Sequence, residues 1–367
     1  MRILIVAFSK IKYAPYINFY LENIDASRHD VHLLYWNRDL KAEDVSHLKD
    51  VKLHEFRCYM EDDIPKTQKF GKFFEFRRFT INVLREESFD ILFILTSLPS
   101  VLLYDQLKKQ YSGRYIFDYR DYTYEWFAPY KWLLHRVIHH SRAAYVSSDA
   151  FRRFLPKNAS EKIHTSHNIL LDSLNHREDG IAKRTLSNKI RISFWGFIRE
   201  KDINCALIQK IAADSRFELH FYGREQSIAL SLKKYAAEIG AENIVFHGEY
   251  RPEDRYDFVA KTDIIHNLYQ SSNMMPAMSN KYYDGVIFRL PQLCTQGSFM
   301  AEQCEKAGVG KAVDVFSNDF LDKVYAYYSE LDRPVFNAAC DSEMERVYKE
   351  YIHGCKIIYA STEKTVQ

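Results

Sequence analysis

Two series of short apolar segments, each alternating with stretches of helical periodicity, constrain the fold of this chain most strongly. Continuous apolar runs bounded by polar residues are typical of parallel strands that are buried on both faces. In the first half of the chain such segments are residues 2–8, 29–35, 90–95, 114–118, 144–147 and 163–165. Their alternation with helical segments predicts a doubly wound parallel sheet that is complete by about residue 168.

The second series begins after a polar stretch of weak periodicity, residues 169–189, which we interpret as an interdomain linker. Its strand-like segments are residues 190–195, 218–222, 243–247, 263–267 and 291–294. We therefore predict an N-terminal Rossmann-like domain over residues 1–168 and a C-terminal one over 190–342. A helical segment over 343–367 would end the chain, with a return to the N-terminal domain as one option.

Length and composition exclude several classes of protein. The 367 residues, 47% of them hydrophobic, suit two globular domains and argue against disorder. The 51 Lys and Arg residues nearly balance the 49 Asp and Glu residues, so no overall field favours nucleic acid. The cysteines lack the spacing of a zinc site, and the N-terminal apolar run is too short for a signal peptide. We expect a cytoplasmic protein that meets any membrane only from its surface.

Glycines follow three successive strands of the second series, namely Gly196, Gly223 and Gly248. Ligands of open α/β sheets bind beyond the carboxyl ends of the strands, and a glycine there lets a ligand approach the backbone closely. Arg199 and Lys201 follow the first of these glycines and could neutralise a phosphate. The alternative is three ordinary turns between strands and helices.

A capped helix is predicted to complete this site. Ser279 or Asn280 is suited to the N-cap of a helix that begins near Lys281. The positive end of the helix and Lys281 would then meet a diphosphate, while Asp284 would accept hydrogen bonds from ribose hydroxyls. Tyr250, just beyond the third glycine, is a further candidate. A capped surface helix without a ligand is the alternative.

Residues 190–300 resemble the family-4 and related retaining glycosyltransferases of GT-B fold, especially those that build bacterial capsules and exopolysaccharides. In that family a strand ending in glycine precedes basic diphosphate-binding residues, as Gly196 precedes Arg199 and Lys201 here. A later Asn-Lys-x-x-Glu segment holds the donor, and residues 280–284 match it with Asp in the last position. The resemblance implies an α/β protein of GT-B fold, with two Rossmann-like doubly wound lobes facing a central cleft.

The resemblance also implies a chemistry. It predicts a hexosyltransferase-type enzyme that retains the anomeric configuration and needs no cofactor and no divalent metal, with a UDP- or GDP-linked sugar as substrate. Pro276 departs from the family, because many members carry an acidic residue at that position. Arg120 and Asp121, at a strand end of the first domain, are the candidates for catalytic contact with acceptor or sugar. A buried ion pair that braces the strand is the alternative for them.

Two segments of the first domain, residues 66–85 and 126–142, interleave aromatic and basic side chains. This mixture is typical of a helix that lies in an anionic headgroup layer. A helix packed on the sheet with a cationic outer face is the alternative. The expected membrane contacts in the first segment are Lys69, Lys72, Phe73, Arg77 and Arg78.

The preferred hypothesis is transfer of a sugar from a nucleotide donor to a glycan acceptor that is carried on a lipid. The protein would act peripherally, on the inner face of the plasma membrane, in bacterial cell-surface polysaccharide synthesis. One alternative is a sugar-nucleotide epimerase of the same fold. Another is a non-catalytic partner subunit that binds a nucleotide sugar, which the proline at position 276 motivates. A dinucleotide oxidoreductase is disfavoured, since no G-x-G-x-x-G motif follows either opening strand.

Overall fold

The computed structural model describes residues 1–60, 65–185, 187–251 and 254–363. The chain divides into two compact units. The first unit comprises residues 1–168 together with the chain from residue 349 onward, and the second comprises residues 169–348. Each unit is built around a parallel sheet.

The sheet of the first unit has seven parallel strands among its described residues. They are β1 (Arg2–Val6), β2 (Asp30–Asn37), β3 (Val51–Arg57), β4 (Ile91–Leu95), β5 (Tyr115–Tyr119), β6 (Ala143–Val146) and β7 (Ile163–Thr165). Their order across the sheet is β3-β2-β1-β4-β5-β6-β7. The strand order reverses between β1 and β4, and such a reversal opens a crevice at the carboxyl ends of the strands.

Five helices accompany these strands in the described part of the first unit. They are α1 (Asn18–Leu21), α2 (Lys66–Glu86), α3 (Ser97–Leu102), α4 (Tyr104–Gln110) and α5 (Ala128–His140). Helix α3 packs against α2, α4 and α5, so these four form one helical layer. Beneath α2, the buried ring of Trp36 stacks on Phe76 with the ring centroids 5.4 Å apart, and Phe8 meets both rings edge-on.

The second unit repeats this topology with six parallel strands over its described residues. They are β8 (Ile190–Trp195), β9 (Phe217–Tyr222), β10 (Ile244–Gly248), β11 (Ile264–Asn267), β12 (Gln292–Thr295) and β13 (Gly310–Val313). The order β10-β9-β8-β11-β12-β13 reverses between β8 and β11. A ligand of this unit is therefore expected at the carboxyl ends of those two strands.

The remaining helices begin just after residue 168. They are α6 (Asp172–Asn175), α7 (Arg177–Ala182), α8 (Lys201–Ala212), α9 (Ser227–Glu238), α10 (Arg255–Val259), α11 (Asn280–Ile287), α12 (Phe299–Ala307), α13 (Phe320–Ser329) and α14 (Arg333–Thr362). The residues of α14 from 349 onward group with the first unit, where the phenol of Tyr145 donates a 2.7 Å hydrogen bond to the carbonyl of Gly354. Across the described ranges, no helix is at once long and apolar enough to cross a bilayer.

The predicted fold class, α/β with two doubly wound parallel sheets, is confirmed. Two details of the predicted domain boundaries differ from the sequence-based expectation. The stretch 169–189, interpreted as a linker, contains α6 and α7 and belongs to the second unit. The last helix begins at Arg333 instead of residue 343.

Candidate functional site

Two glycine turns meet at the carboxyl edge of the second sheet. Gly196 follows β8 with a φ of +115°, a backbone conformation that favours glycine. Gly223 follows the adjacent strand β9, and a Cβ atom added there would lie 2.0 Å from the carbonyl oxygen of Gly196. The two turns therefore touch backbone to backbone. A side chain at Gly223 would require a shift of the main chain, whereas at Gly196 the positive φ is what disfavours a side chain.

The basic residues after Gly196 lie at the surface of this edge. Arg199 and Lys201 are both exposed, and the guanidinium of Arg199 lies 4.7 Å from the centroid of the Phe197 ring. Lys201 is the first residue of α8. The arrangement leaves two cations beside a turn whose backbone an anion can approach.

The segment that carries these cations is anchored on both sides. The carboxylate of Glu200 accepts hydrogen bonds from the backbone N–H groups of Gln270 and Ser271, at 3.3 and 3.2 Å. The side-chain amide of Asn204 donates to the carbonyls of Arg199 and Glu200, at 2.7 and 2.9 Å. The Glu200 bonds connect the loop after β8 to the loop after β11. These are the two strands between which the strand order reverses.

The N-terminus of α11 faces this edge without a side-chain cap. Ser279 occupies the N-cap position, but its hydroxyl donates to the side-chain oxygen of Asn267 at 2.7 Å. The amide of Asn267 in turn donates to Gln292 at 2.9 Å. Asn280 is the first helical residue. Because the Ser279 side chain does not cap the first turn, the N–H groups at this helix end suit an anion.

Lys281 is buried inside the second unit. Its ammonium donates a 2.7 Å hydrogen bond to the phenol oxygen of Tyr269 and lies 4.2 Å from the centroid of the Phe194 ring. Burial, with a contribution from the Lys281 charge, lowers the pKa of neighbouring His266 to about 3. His266 is therefore neutral near pH 7, and Lys281 is the cation of this part of the core. Its contact with a diphosphate stays a prediction.

Asp284 lies at the centre of a buried polar cluster. Its carboxylate accepts a 2.8 Å hydrogen bond from the indole N–H of Trp195. Burial raises the pKa of Tyr250 to about 12, and the Asp284 charge adds to the shift. Burial alone would lower the pKa of Arg255, but the Asp284 charge and the neighbouring phenols of Tyr256 and Tyr250 together raise it above its usual value. The structure thus brings predicted residues Tyr250 and Asp284 together.

Arg255 is the member of this cluster that the sequence did not reveal. It lies at the start of α10 and is buried, and its guanidinium donates to the hydroxyl of Ser173 at 2.8 Å. Helical periodicity could have placed it on the inner face of α10. No motif distinguished it from a surface arginine.

At the carboxyl end of β5, the structure favours the alternative interpretation of Arg120. Its guanidinium is buried and donates to Asp118 at 2.7 Å, to Asn168 at 2.6 Å and to Ser166 at 2.8 Å. The partner is Asp118 instead of Asp121, since side chains two residues apart along a strand share a face. Asp121 is exposed. Arg120 is thus part of a buried ion pair, and its donors are used within the protein.

On α2, one predicted membrane contact requires correction. Phe73 is buried against Phe8 and Trp36, so it belongs to the core. The exposed aromatic residues of this helix are Phe70 and Phe74. Sequence alternation did not separate the two faces because aromatic residues occupy both of them.

The remaining predicted contacts on α2 are at least partly exposed. Arg78 is exposed, while Lys69, Lys72 and Arg77 are half-buried. Arg77 forms a 2.7 Å ion pair with Asp105. The outer side of α2 is therefore cationic, as the sequence suggests, and the charge of Arg77 is paired with that of Asp105.

Two open cavities border the helical layer of α2 to α5, one between α5 and residues 153–158 and the other on α2. The larger, of about 650 Å³, has a mainly basic lining that includes Lys131, Trp132, Arg136, Arg153 and Lys157. The smaller, of about 450 Å³, is lined by Phe74, Ile81, Asn82 and three arginines, Arg77, Arg78 and Arg85. The layer also exposes Trp126, Phe127 and Trp132. Exposed aromatic and cationic groups together are typical of a surface that binds an anionic, partly apolar partner.

The buried ion pair yields a test of the role of Arg120. We expect Arg120→Ala to lower the free energy of unfolding by about 3 kcal/mol or more, because it leaves the Asp118 carboxylate buried without its partner. The exposed neighbour provides the control, and Asp121→Ala should change stability by about 0.5 kcal/mol at most. Urea unfolding measures both. Equal stability of the two variants would contradict the structural role.

No protein-family model and no curated protein sequence matches this chain. Among solved structures, it is similar to sucrose-phosphate synthase of Thermosynechococcus elongatus, with a TM-score of 0.71, 12% identity and coverage of 97% of this chain and 96% of that one. For Anabaena HepE in complex with UDP the TM-score is 0.68 at 11% identity, with coverage of 98% of this chain and 100% of that one. For the lipopolysaccharide outer core galactosyltransferase WaaB the TM-score is 0.64 at 12% identity, with coverage of 97% of this chain and 99% of that one. These likenesses show that the chain has the α/β fold of GT-B glycosyltransferases.

Proposed function

We propose that this protein is a glycosyltransferase that binds a nucleotide sugar at the carboxyl edge of its second sheet. The observation that carries the proposal is the glycine turn of Gly196 and Gly223, with Arg199 and Lys201 exposed beside it. Ligands of open α/β sheets bind at this position, where strand order reverses. A diphosphate needs the close backbone approach and the cations that this edge offers.

The donor would be held by two groups of residues. The exposed cations Arg199 and Lys201 and the uncapped first turn of α11 would bind the diphosphate. Asp284 would accept hydrogen bonds from the ribose, since a carboxylate can accept more bonds than the one from Trp195. Structures of Anabaena HepE hold UDP and UDP-glucose, which makes UDP the first nucleotide to test and GDP the second.

The chemistry follows from where charge develops. In sugar transfer the bond from the anomeric carbon to the diphosphate oxygen breaks, the acceptor hydroxyl oxygen forms the new bond to that carbon, and the hydroxyl proton passes to the departing diphosphate. Negative charge accumulates on the leaving diphosphate, so cations and helix N–H groups placed there lower the barrier. We propose that transfer proceeds with retention and without a cofactor or divalent metal, as the resemblance implies. Asp121 is the exposed candidate for acceptor contact in the first unit.

The acceptor is proposed to be a glycan carried on a lipid, in bacterial cell-surface polysaccharide synthesis. The support is the layer of α2 to α5, which exposes aromatic rings beside two basic cavities. A lipid-linked acceptor brings a membrane surface to the enzyme, and anionic headgroups attract such a layer. A sugar-nucleotide epimerase would have no use for this surface, so the layer favours a transferase.

A non-catalytic nucleotide-sugar-binding subunit is the second candidate. Pro276 is buried and supplies no carboxylate near the donor sugar, where many relatives carry one. Both candidates bind a nucleotide sugar, but only the transferase consumes it. Release of UDP from a panel of UDP-sugars in the presence of membrane extracts therefore separates the two.

Isothermal titration calorimetry with UDP tests the donor site. We expect Arg199→Ala and Asp284→Asn each to weaken binding about 10-fold or more, because each removes a charge-assisted hydrogen bond. Asparagine keeps an oxygen for the Trp195 indole, so this variant preserves the internal bond. Lys234→Ala removes an exposed cation on α9 and serves as the control with unchanged affinity. Equal affinities in all four proteins would place UDP elsewhere, and GDP repeats the test if UDP does not bind.

Vesicle flotation tests the membrane contact. Removal of one exposed cation from each cavity, in the double variant Arg78→Ala/Lys157→Ala, should weaken binding to phosphatidylglycerol-containing vesicles about 30-fold, at about 1 kcal/mol per charge. The control, Lys234→Ala/Lys323→Ala, removes two exposed cations of the second unit. Binding that is absent in the wild type, or lost equally in both variants, would contradict a specific contact through this layer.

A further inference from the structure

Two histidines and a glutamate converge at the amino edge of the first sheet. His32 lies on β2, His54 on β3, and Glu87 directly follows α2. The Nδ1 atom of His32 is 2.9 Å from Nε2 of His54 and 3.6 Å from Oε2 of Glu87. The three nitrogen and oxygen atoms all lie within 4.8 Å of one another.

These separations suit a tetrahedral metal ion. Ligands about 2.0–2.1 Å from a zinc ion are roughly 3.3 Å apart from each other in a tetrahedral site. The two separations from His32 lie on either side of that value, so small side-chain rotations would bring the ligands into place. Two imidazoles and one carboxylate are a ligand set that Zn²⁺ accepts with a fourth position open to solvent.

A second carboxylate orients the buried histidine. The Nε2 atom of His32 lies 3.0 Å from Oδ1 of Asp30, and Asp30 is itself held by Arg2 at 2.6 Å. If Nε2 donates its proton to Asp30, then Nδ1 presents a lone pair toward His54 and Glu87. A carboxylate behind a ligating histidine is the usual outer partner in zinc sites. His32 is 1% exposed, which fixes the ring further.

The charges around Glu87 leave one of its oxygens for a metal. Lys52 donates to Oε1, while Oε2 is the atom that faces His32. Arg2 lies 3.8 Å from Oε2 and competes for it, although its guanidinium is also bound to Asp30.

The second unit offers an internal comparison. There His220 on β9 lies 3.0 Å from His247 on β10, and Glu218 lies 3.5 Å from the other nitrogen of His220. His220, His247 and Glu218 thus correspond in strand position to His32, His54 and Asp30. Over the described residues, however, only the first unit adds a third ligand, which is Glu87. Both sheets therefore contain a pair of neighbouring histidines. Among the described residues, the set of three potential ligands occurs in the first unit.

We propose that His32, His54 and Glu87 bind one Zn²⁺ ion, with Asp30 as the positioning carboxylate. The ion would join β2, β3 and the end of α2. It would lie at the amino edge of the first sheet, whereas the proposed donor site lies at the carboxyl edge of the second. The zinc site is therefore independent of the proposed function.

Calorimetric titration of the tag-free, chelator-treated protein with ZnCl₂ tests this proposal. We expect one equivalent to bind the wild type, and no such binding in His54→Gln or Glu87→Gln. Asp30→Asn should weaken binding about 10–100-fold, as loss of an outer partner does. His247→Gln changes the corresponding pair of the second unit and should leave binding intact. The visible spectrum of the Co²⁺-loaded protein reports tetrahedral coordination in the same set.

Each outcome bears on the proposal. Failure of the wild type to bind Zn²⁺, or equal binding by wild type, His54→Gln and Glu87→Gln, would overturn it. Loss of binding in His247→Gln alone would assign the ion to the second unit and would also overturn it. Circular dichroism of each variant shows whether a loss of binding reflects unfolding. UDP binding should be unchanged in all of them, so failure here leaves the donor site untouched.

Discussion

The contact between the turns after β8 and β9 is the constraint on which the candidate site depends. No side chain fits between the carbonyl of Gly196 and the backbone of Gly223. Gly196 itself has a positive φ, and hydrogen bonds of Glu200 and Asn204 hold the segment that leads from it into α8. Arg199 and Lys201 are exposed as a consequence, because the anchoring bonds use other side chains.

Burial separates the charged groups of this protein into two kinds. Arg120 and Lys281 lie inside their units, where Asp118 and the phenol of Tyr269 accept their hydrogen bonds. Such groups are costly to leave without a partner, so they shape the core first. The cations at the edge of the second sheet and on the layer of α2 to α5 remain at the surface. We propose that these exposed cations meet phosphate groups.

The sequence predicted the sheets well because buried parallel strands are continuous apolar runs. It missed β3 and β13, each of which lies at one edge of its sheet. Both strands are partly exposed, and polar residues interrupt their sequences. Strand β13, for example, contains Gly310 and Lys311, so neither strand has a continuous apolar run. The site was predicted in part. The glycines and Asp284 belong to local sequence motifs and could be predicted. The proximity of Arg255 to Asp284, and that of His32, His54 and Glu87 to one another, brings together residues far apart in the chain, which no local pattern shows.

Hydrogen–deuterium exchange with and without UDP tests the central claim most directly, because it locates the ligand without a substitution. We expect slower exchange at residues 196–201 and 279–285 when UDP is saturating, since a bound diphosphate would engage the backbone N–H groups of both segments. Protection confined to other segments, such as the basic cavity near residues 131–158, would contradict it.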